Sequence, residues 1–326
     1  MIELTSNALP MHAHDPLAGI QAAADRVAAA LRPGAASASS DVLERALAAL
    51  SSELVLADRA LALDPEGRRA ARETAHAQLG RLLAVSPLLA RAITKPRGYA
   101  GDHAMIDMLY RGERAPDGAA LALDEVVLKL ATVVAVVRRK EYAVEWLADR
   151  LRTPGVHVVD LACGPCRVER EVLERGVTAR LVGIDSDPEA LAYARGVLGP
   201  HAGAVELVND NAVRIARSAT PTPALAGARL VLSLGLFDYL PDTIAIRVLR
   251  ALRRDMDPRG EVLIGNFAAG SPDRAFMDWA LDWPLIYRTE REVRALLVAA
   301  GFPAGGISVE QEALDGLVLM ATARCA

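Results

Sequence analysis

The sequence predicts an α/β protein: a doubly wound, mostly parallel seven-stranded sheet over residues 151–326, preceded by an all-helical domain over residues 1–150. Three observations predict it. Apolar residues recur at helical spacing in the first half, with Leu43, Ala46, Leu47, Leu50 and Leu54 as one run and Val126, Leu130, Val133, Val134 and Val137 as another. After Thr153-Pro154-Gly155, short strand-like runs alternate with amphipathic helices, the pattern of parallel strands joined by right-handed crossovers. The length of 326 residues, at about 150 per domain, leaves room for two domains and a substantial core.

In the helical half, PGAASASS (33–40) reads as a flexible connector. The stretch from Thr94 to Asp102 reads as a second break, where a proline and two glycines interrupt helical patterns. One long helix is predicted from about Ala119 to Leu151. Beyond it, strands are predicted at 156–162, 179–185, 204–210, 228–234 and 260–267, with GISVEQE and DGLVLMATA as a final pair completing the sheet. Asp187-Pro188 and Ser271-Pro272 signal helix starts, Thr289-x-x-Glu292 forms a capping box, and Gly301 ends the last helix.

Composition narrows the function classes. Hydrophobic residues at 52% and charged residues at 24% exclude a disordered or fibrous chain. A net charge of −4 argues against a nucleic-acid wrapper or a polybasic membrane binder. Three cysteines are too few for a disulfide framework and fit a reducing compartment. The opening MIELTSNALPMHAHD has neither the basic nor the apolar region of a signal peptide, and apolar runs such as Leu130–Val137 are too short to span a bilayer. These features predict a cytoplasmic protein with no nucleic-acid or membrane partner; the oligomeric state is left open.

The most informative segment is Asp160-Leu-Ala-Cys-Gly164-Pro-Cys-Arg-Val, where the first predicted strand gives way to a helix. In doubly wound sheets, ligands bind at the carboxyl ends of the strands, and Gly164 allows backbone to approach a ligand closely. Asp185 ends the second strand, where an acidic residue accepts hydrogen bonds from ribose hydroxyls. At the end of the third strand, Asn209-Asp210-Asn211 offers a carboxylate and a backbone N–H to an adenine edge. A nicotinamide dinucleotide calls for G-x-G-x-x-G, but the loop has a single glycine followed by Pro165 and Cys166. A nucleoside that lacks phosphates and carries an amino-acid tail fits better, which describes S-adenosylmethionine. Cys163-Gly-Pro-Cys166 also has the spacing of a thioredoxin-type dithiol. That reading leaves Asp185 and Asp210 unexplained, and small packing residues are the simpler account of the two thiols.

On these residues the chain resembles the class I S-adenosylmethionine-dependent methyltransferases. More narrowly, it resembles a subgroup with a helical N-terminal domain that includes the extracellular-factor (3-hydroxypalmitate methyl ester) enzymes and the azetidine-2-carboxylate synthases. KPRGYAGD (95–102), LGLFDYL (234–240) and NFAAGSPDRAFMDWALDWPLIYRT (266–289) carry the narrower likeness. Cys166 departs from the family, in which many members have a glycine at that place. The resemblance implies S-adenosylmethionine as cofactor. It puts Asp160 and Gly164 along the methionyl and ribose region, Asp185 at the ribose hydroxyls, and Asp210 with Asn211 at the adenine. Ser233 to Gly235 would pass beneath the sulfonium, and KPRGYAGD, with Arg97 and Gly101, would close over the cofactor.

Read for their chemistry, Arg97 can fork onto a carboxylate and Asp102 can accept from an ammonium, the two groups a free amino acid presents. The competing reading of that stretch is a helix-breaking turn with solvated charges. The chain has 3 Trp, 6 Tyr and 4 Phe, and most lie between Phe237 and Phe302. Aromatic faces attract a sulfonium cation and exclude water from it. Tyr99, Tyr239, Trp283 and Tyr287 are the candidate pocket aromatics, and Asp102 and Tyr239 the candidates for orienting an acceptor. Asp282 and Arg288 are candidates for a pair that holds a lid. Of the histidines, His103 follows the suggestive loop, whereas His12, His14, His157 and His201 occupy structural or solvated places. No His/Glu spacing suggests a metal.

Three functions follow. The first is methyl transfer to a small-molecule acceptor, such as a specialised metabolite or an acyl compound. The second is cyclisation of S-adenosylmethionine alone to azetidine-2-carboxylate and methylthioadenosine. The third is a sensor that binds the cofactor without turnover.

Overall fold

Proline in the first turn, with a side-chain cap before it, starts three of the N-terminal helices: α1 (Pro16–Ala30) after Asp15, α3 (Pro65–Leu83) after Asp64, and α4 (Pro87–Thr94) after Ser86. Between them runs α2 (Ser40–Ala60), and α5 (His103–Tyr110), α6 (Gly118–Val127) and α7 (Ala131–Arg150) follow. The structure, a computed structural model, describes residues 15–32, 40–311 and 316–326. The expected connector at 33–40 therefore lies almost wholly outside the described residues, as do His12 and His14.

The long helix expected from Ala119 to Leu151 is two helices. Leu130 adopts an extended backbone between α6 and α7 (φ −57°, ψ 137°). The Thr132 N–H and hydroxyl, in the first turn of α7, both donate to the Asp273 carboxylate, at 2.8 and 2.9 Å. A carboxylate 141 residues away thus satisfies a free N–H at the start of α7, a contact that no local pattern announces.

Strands and helices then alternate as β1 (Val156–Leu161), α8 (Arg167–Glu174), β2 (Ala179–Asp185), α9 (Pro188–Leu198), β3 (Val205–Asn209), α10 (Ala212–Arg217), β4 (Leu230–Ser233), α11 (Asp242–Asp255), β5 (Glu261–Phe267), α12 (Glu290–Ala300), β6 (Ile307–Gln311) and β7 (Val318–Arg324). The sheet order is β3-β2-β1-β4-β5-β7-β6; β1 to β5 are parallel, and β7 runs antiparallel to both neighbours. This is the doubly wound seven-stranded sheet expected, with the order reversing between β1 and β4. Asp187 caps α9, and the Thr289–Glu292 capping box forms at α12. Ser271-Pro272, by contrast, starts no α-helix; a single π-helical turn, Phe276–Ala280, follows it.

That turn packs against the N-terminal helices. The Trp279 indole donates to Asp58 at 2.8 Å, and Arg72 donates to the Asp278 carbonyl at 2.8 Å. One apolar cluster runs from α1 through α7 to the α8 face of the sheet, while a second lies under α10, α11 and α12. The N-terminal helices therefore roof the carboxyl ends of the strands, and a cavity lies between roof and sheet. Among the described residues, no helix is long and apolar enough to cross a membrane.

Candidate active site

The cavity is about 400 Å³, within the usual size range of small-molecule sites. Its floor is made at the tips of β1, β2 and β4 by Asp160, Gly164, Asp185 and Gly235. Its roof is apolar, with Leu88, Leu109, Val133, Val136, Met277 and Leu281 among its walls.

The loop after β1 is built on left-handed backbone. Ala162, Gly164 and Cys166 take φ of 62°, 52° and 53°, although only one of the three is glycine. The Gly164 N–H donates to Asp185 Oδ2 at 3.0 Å, and the Asp187 N–H to Asp185 Oδ1 at 2.9 Å. Burial pushes the Asp185 carboxyl up, against the pull of those two N–H groups. The thiols of Cys163 and Cys166 crowd the space over Gly183 in β2, where a Cβ would come within 3.0 and 3.2 Å of the sulfurs. The hydrogen bond to Cys166 and burial hold the Cys163 thiol well up. Cys166, although drawn down by Cys163, is pushed up to about 11 by burial. Both remain thiols at neutral pH, which fits packing and not a reactive dithiol.

Aromatic groups line one wall. Tyr99 and Tyr239 meet edge to face at 6.5 Å, and the Trp283 indole donates to the Tyr239 hydroxyl at 2.8 Å. Tyr99 and Tyr239 keep 38% and 37% of their surface accessible because they face the cavity. Burial pushes the Tyr99 hydroxyl up to about 12 and the Tyr239 hydroxyl higher still, so at neutral pH both can donate a hydrogen bond but neither acts as a base. Gly101 is pressed against this pair: a Cβ there would sit 2.6 Å from the Trp283 ring and 2.7 Å from the Tyr239 hydroxyl.

Of the residues singled out from sequence, Tyr99, Gly101, Asp160, Gly164, Asp185, Tyr239 and Trp283 come together around the cavity. The others do not. Arg97 forks onto a carboxylate as its chemistry suggests, but onto the protein's own Asp187, at 2.9 and 2.6 Å, with Glu189 at 2.7 Å. Asp102 is fully buried; it caps α5 through the Met105 N–H and accepts both arms of Arg91 at 2.8 Å. Asp210 is gripped by Arg214 and also accepts from the Asn211 N–H, and the Asn211 side chain caps α10. Ser233 donates to the Leu161 carbonyl at 2.7 Å, tying β4 to β1, and leaves the β4 end of the cavity to Leu234 and Gly235. Tyr287 lies behind Phe267, with ring centroids 6.2 Å apart, and does not line the cavity. Asp282 and Arg288 do not pair. Asp282 takes Lys95, while the buried Arg288 donates to the carbonyls of Phe237 and Leu240 and to Asp242.

Sequence reasoning missed Arg139 and Asp238. Arg139, on α7, is buried in the cavity wall; its Nη1 donates to Asp238 at 3.0 Å, and its guanidinium lies 5.5 Å from the Phe267 ring centroid. Burial raises the Asp238 carboxyl to about 6 even with Arg139 beside it. The signal was present, since Arg139 interrupts the apolar stripe of Val133, Val136 and Ala143. His103 also lines the cavity, at the first turn of α5. Among the described residues, no three His, Cys, Asp or Glu side chains gather as a metal site.

Residues 158–260 match the family model of a methyltransferase domain. A 64-residue stretch is 47% identical to trans-aconitate 2-methyltransferase of Streptomyces avermitilis; it covers 20% of this chain and 23% of that enzyme, so the chain spans under a quarter of the curated relative it matches. Among solved structures, a possible exported protein from Bordetella parapertussis aligns over 97% of this chain and 99% of its own, at 22% identity and a TM-score of 0.58. The CMeT domain of the citrinin polyketide synthase aligns over 76% and 69% of the two chains, at 16% identity and a TM-score of 0.50. The strand order is that of a doubly wound, Rossmann-like sheet, and residues 158–260 within it are similar to a methyltransferase domain.

Proposed function

We propose that this protein transfers the methyl group of S-adenosylmethionine to a small-molecule acceptor with an apolar body. The observation that carries the reading is the continuity of the cavity: carboxylates and a glycine loop at the strand tips open without a break into an apolar chamber under the helical roof. The floor suits the cofactor. Asp185 still has lone pairs for ribose hydroxyls, Gly164 presents no side chain, and Asp160 has a buried oxygen with no partner among the described residues.

When bound, the cofactor supplies an electrophilic methyl group with a neutral thioether as leaving group. The protein's work is then alignment and exclusion of water. Tyr99, Tyr239 and Trp283 would present aromatic surface to the sulfonium, and the tyrosine hydroxyls would donate to the acceptor rather than take its proton. An acceptor already nucleophilic at neutral pH suits such a site. Cyclisation of the cofactor on itself uses no chamber beyond the methionyl chain, so the apolar roof favours an external acceptor, such as an acyl compound or an apolar metabolite. The three buried free thiols suit the reducing conditions of the cytoplasm.

Incubation with S-adenosylmethionine, alone and with a panel of apolar acids, alcohols and amines, tests the proposal. Adenosylhomocysteine that forms only when an acceptor is present is the expected result by mass spectrometry. Methylthioadenosine forming without any acceptor would replace methyl transfer with cyclisation, and tight binding with no product would leave a sensor.

A further inference from the structure

Beneath the cavity floor, Asp160 at the end of β1 faces Glu169 in the first turn of α8. Asp160 is 4% exposed and lines the cavity; Glu169 is 2% exposed and lies behind it. Asp160 Oδ1 and both Glu169 oxygens are buried, and among the described residues none has a hydrogen-bond partner. Two carboxylates side by side have only lone pairs to offer each other, so burying both as anions would carry a cost that the nearby Cys166 thiol and the Glu169 backbone N–H offset only in part. The neighbours supply no uncommitted positive charge. Cys163 and Cys166 are neutral thiols, of which Cys166 eases the charge on Glu169 only in part against burial, Tyr110 from α5 is neutral, Arg139 from α7 pairs with Asp238 through Nη1, its Nε unpartnered, and Asp185 from β2 adds a further negative charge. Arg167 and Lys140 are engaged by Asp107 and Glu171. Burial, reinforced for Asp160 by Glu169, drives both carboxyls toward the protonated form.

We propose that Asp160 and Glu169 share one proton in the unliganded protein and release it to solvent when the α-ammonium group of S-adenosylmethionine arrives at Asp160. The incoming cation takes over the role of the proton, and Glu169 acts as a positioning residue that never touches the reacting atoms. This rests on the cofactor assignment above and adds a protonation step to it. The sign follows from linkage: the free protein holds more protons than the complex, so affinity rises with pH wherever the pair is protonated when free and ionised when bound. Below about pH 7.5 the amine of the cofactor is itself largely charged and does not confuse the slope.

The test is calorimetric titration of the full chain with S-adenosylmethionine at pH 6.5 in buffers of different ionisation enthalpy, repeated with methylthioadenosine, which keeps the nucleoside and lacks the ammonium. Release approaching one proton with S-adenosylmethionine and none with methylthioadenosine is expected, along with affinity for the former rising by up to about tenfold per pH unit. Glu169→Gln should abolish the release while leaving methylthioadenosine affinity at the wild-type value, which also reports that the variant is folded. Binding of S-adenosylmethionine without proton release, equal release with both ligands, or release that survives in Glu169→Gln overturns the shared proton. Failure of both ligands to bind overturns the cofactor assignment instead. Should Glu169→Gln not fold, the comparison of the two ligands on the wild-type chain decides the question.

Discussion

The loop at 95–102 and the loop at 160–168 read alike in sequence, each a short break carrying glycine, proline and charge, yet the fold uses them in opposite ways. In the first, the charges are spent within the protein: Arg97 on Asp187 and Glu189, Lys95 on Asp282, and Asp102 on Arg91 and the start of α5. What this loop gives the cavity is shape, through Tyr99 and through Gly101 against Trp283. In the second, the Asp160 carboxylate faces the cavity beside Asp185 at the tip of β2, and both have hydrogen-bonding capacity left over. The contrast teaches that a charged motif is a ligand site only where the fold withholds protein partners from it.

Substitution at Asp102 in the first loop, and at Asp185, which holds the second through the Gly164 N–H, can break this contrast. Asp102→Ala should have the largest effect, and on stability: it removes a helix cap and strands Arg91, at a cost of about 3 kcal/mol. Chemical denaturation should show that loss, while the folded fraction binds S-adenosylmethionine as before. A weakened dissociation constant in the folded protein would return Asp102 to the binding site. Asp185→Asn should do the reverse. The amide can accept only one of the two N–H bonds from Gly164 and Asp187 and is a poorer acceptor for ribose hydroxyls. We expect cofactor affinity to fall by about 2 kcal/mol, roughly thirtyfold, with a stability loss of about 1 kcal/mol. Equal affinity by calorimetry would show that the β2 tip does not hold the ribose.

Most of the sheet was legible because each parallel strand is a short apolar run closed by a polar residue, and the helix starts at Asp187 and Thr289 follow from local capping chemistry. What the sequence hid was long-range. The break between α6 and α7 depends on Asp273, and the placement of the 276–280 turn under the N-terminal helices depends on Asp58 and Arg72. The site was legible in the same proportion. Asp160, Gly164 and Asp185 follow from strand ends, whereas Arg97, Asp102 and Asp210 have chemistry equally suited to a ligand and differ only in having found an arginine or a carboxylate of the protein first. Ser233 faces away from the cavity that its neighbour Leu234 lines, and Tyr287 lies two residues beyond Leu285, the last residue of its segment to line it.

The smallest expected effect probes the backbone of the second loop. Ala162 is exposed and holds φ of 62°, so its side chain gains little from packing and bears the left-handed strain. That strain costs an alanine about 1–2 kcal/mol, while glycine escapes it and loses about 0.5–1 kcal/mol in unfolded-chain entropy. Ala162→Gly should therefore stabilise the protein, by less than about 1 kcal/mol, which a denaturant midpoint resolves. The substitution adds no group that a ligand could contact, so cofactor affinity should stay level if the loop is already preorganised, as the Gly164–Asp185 hydrogen bond implies. A stability gain accompanied by weaker binding would mean that alanine at this position is what keeps the loop in its binding shape.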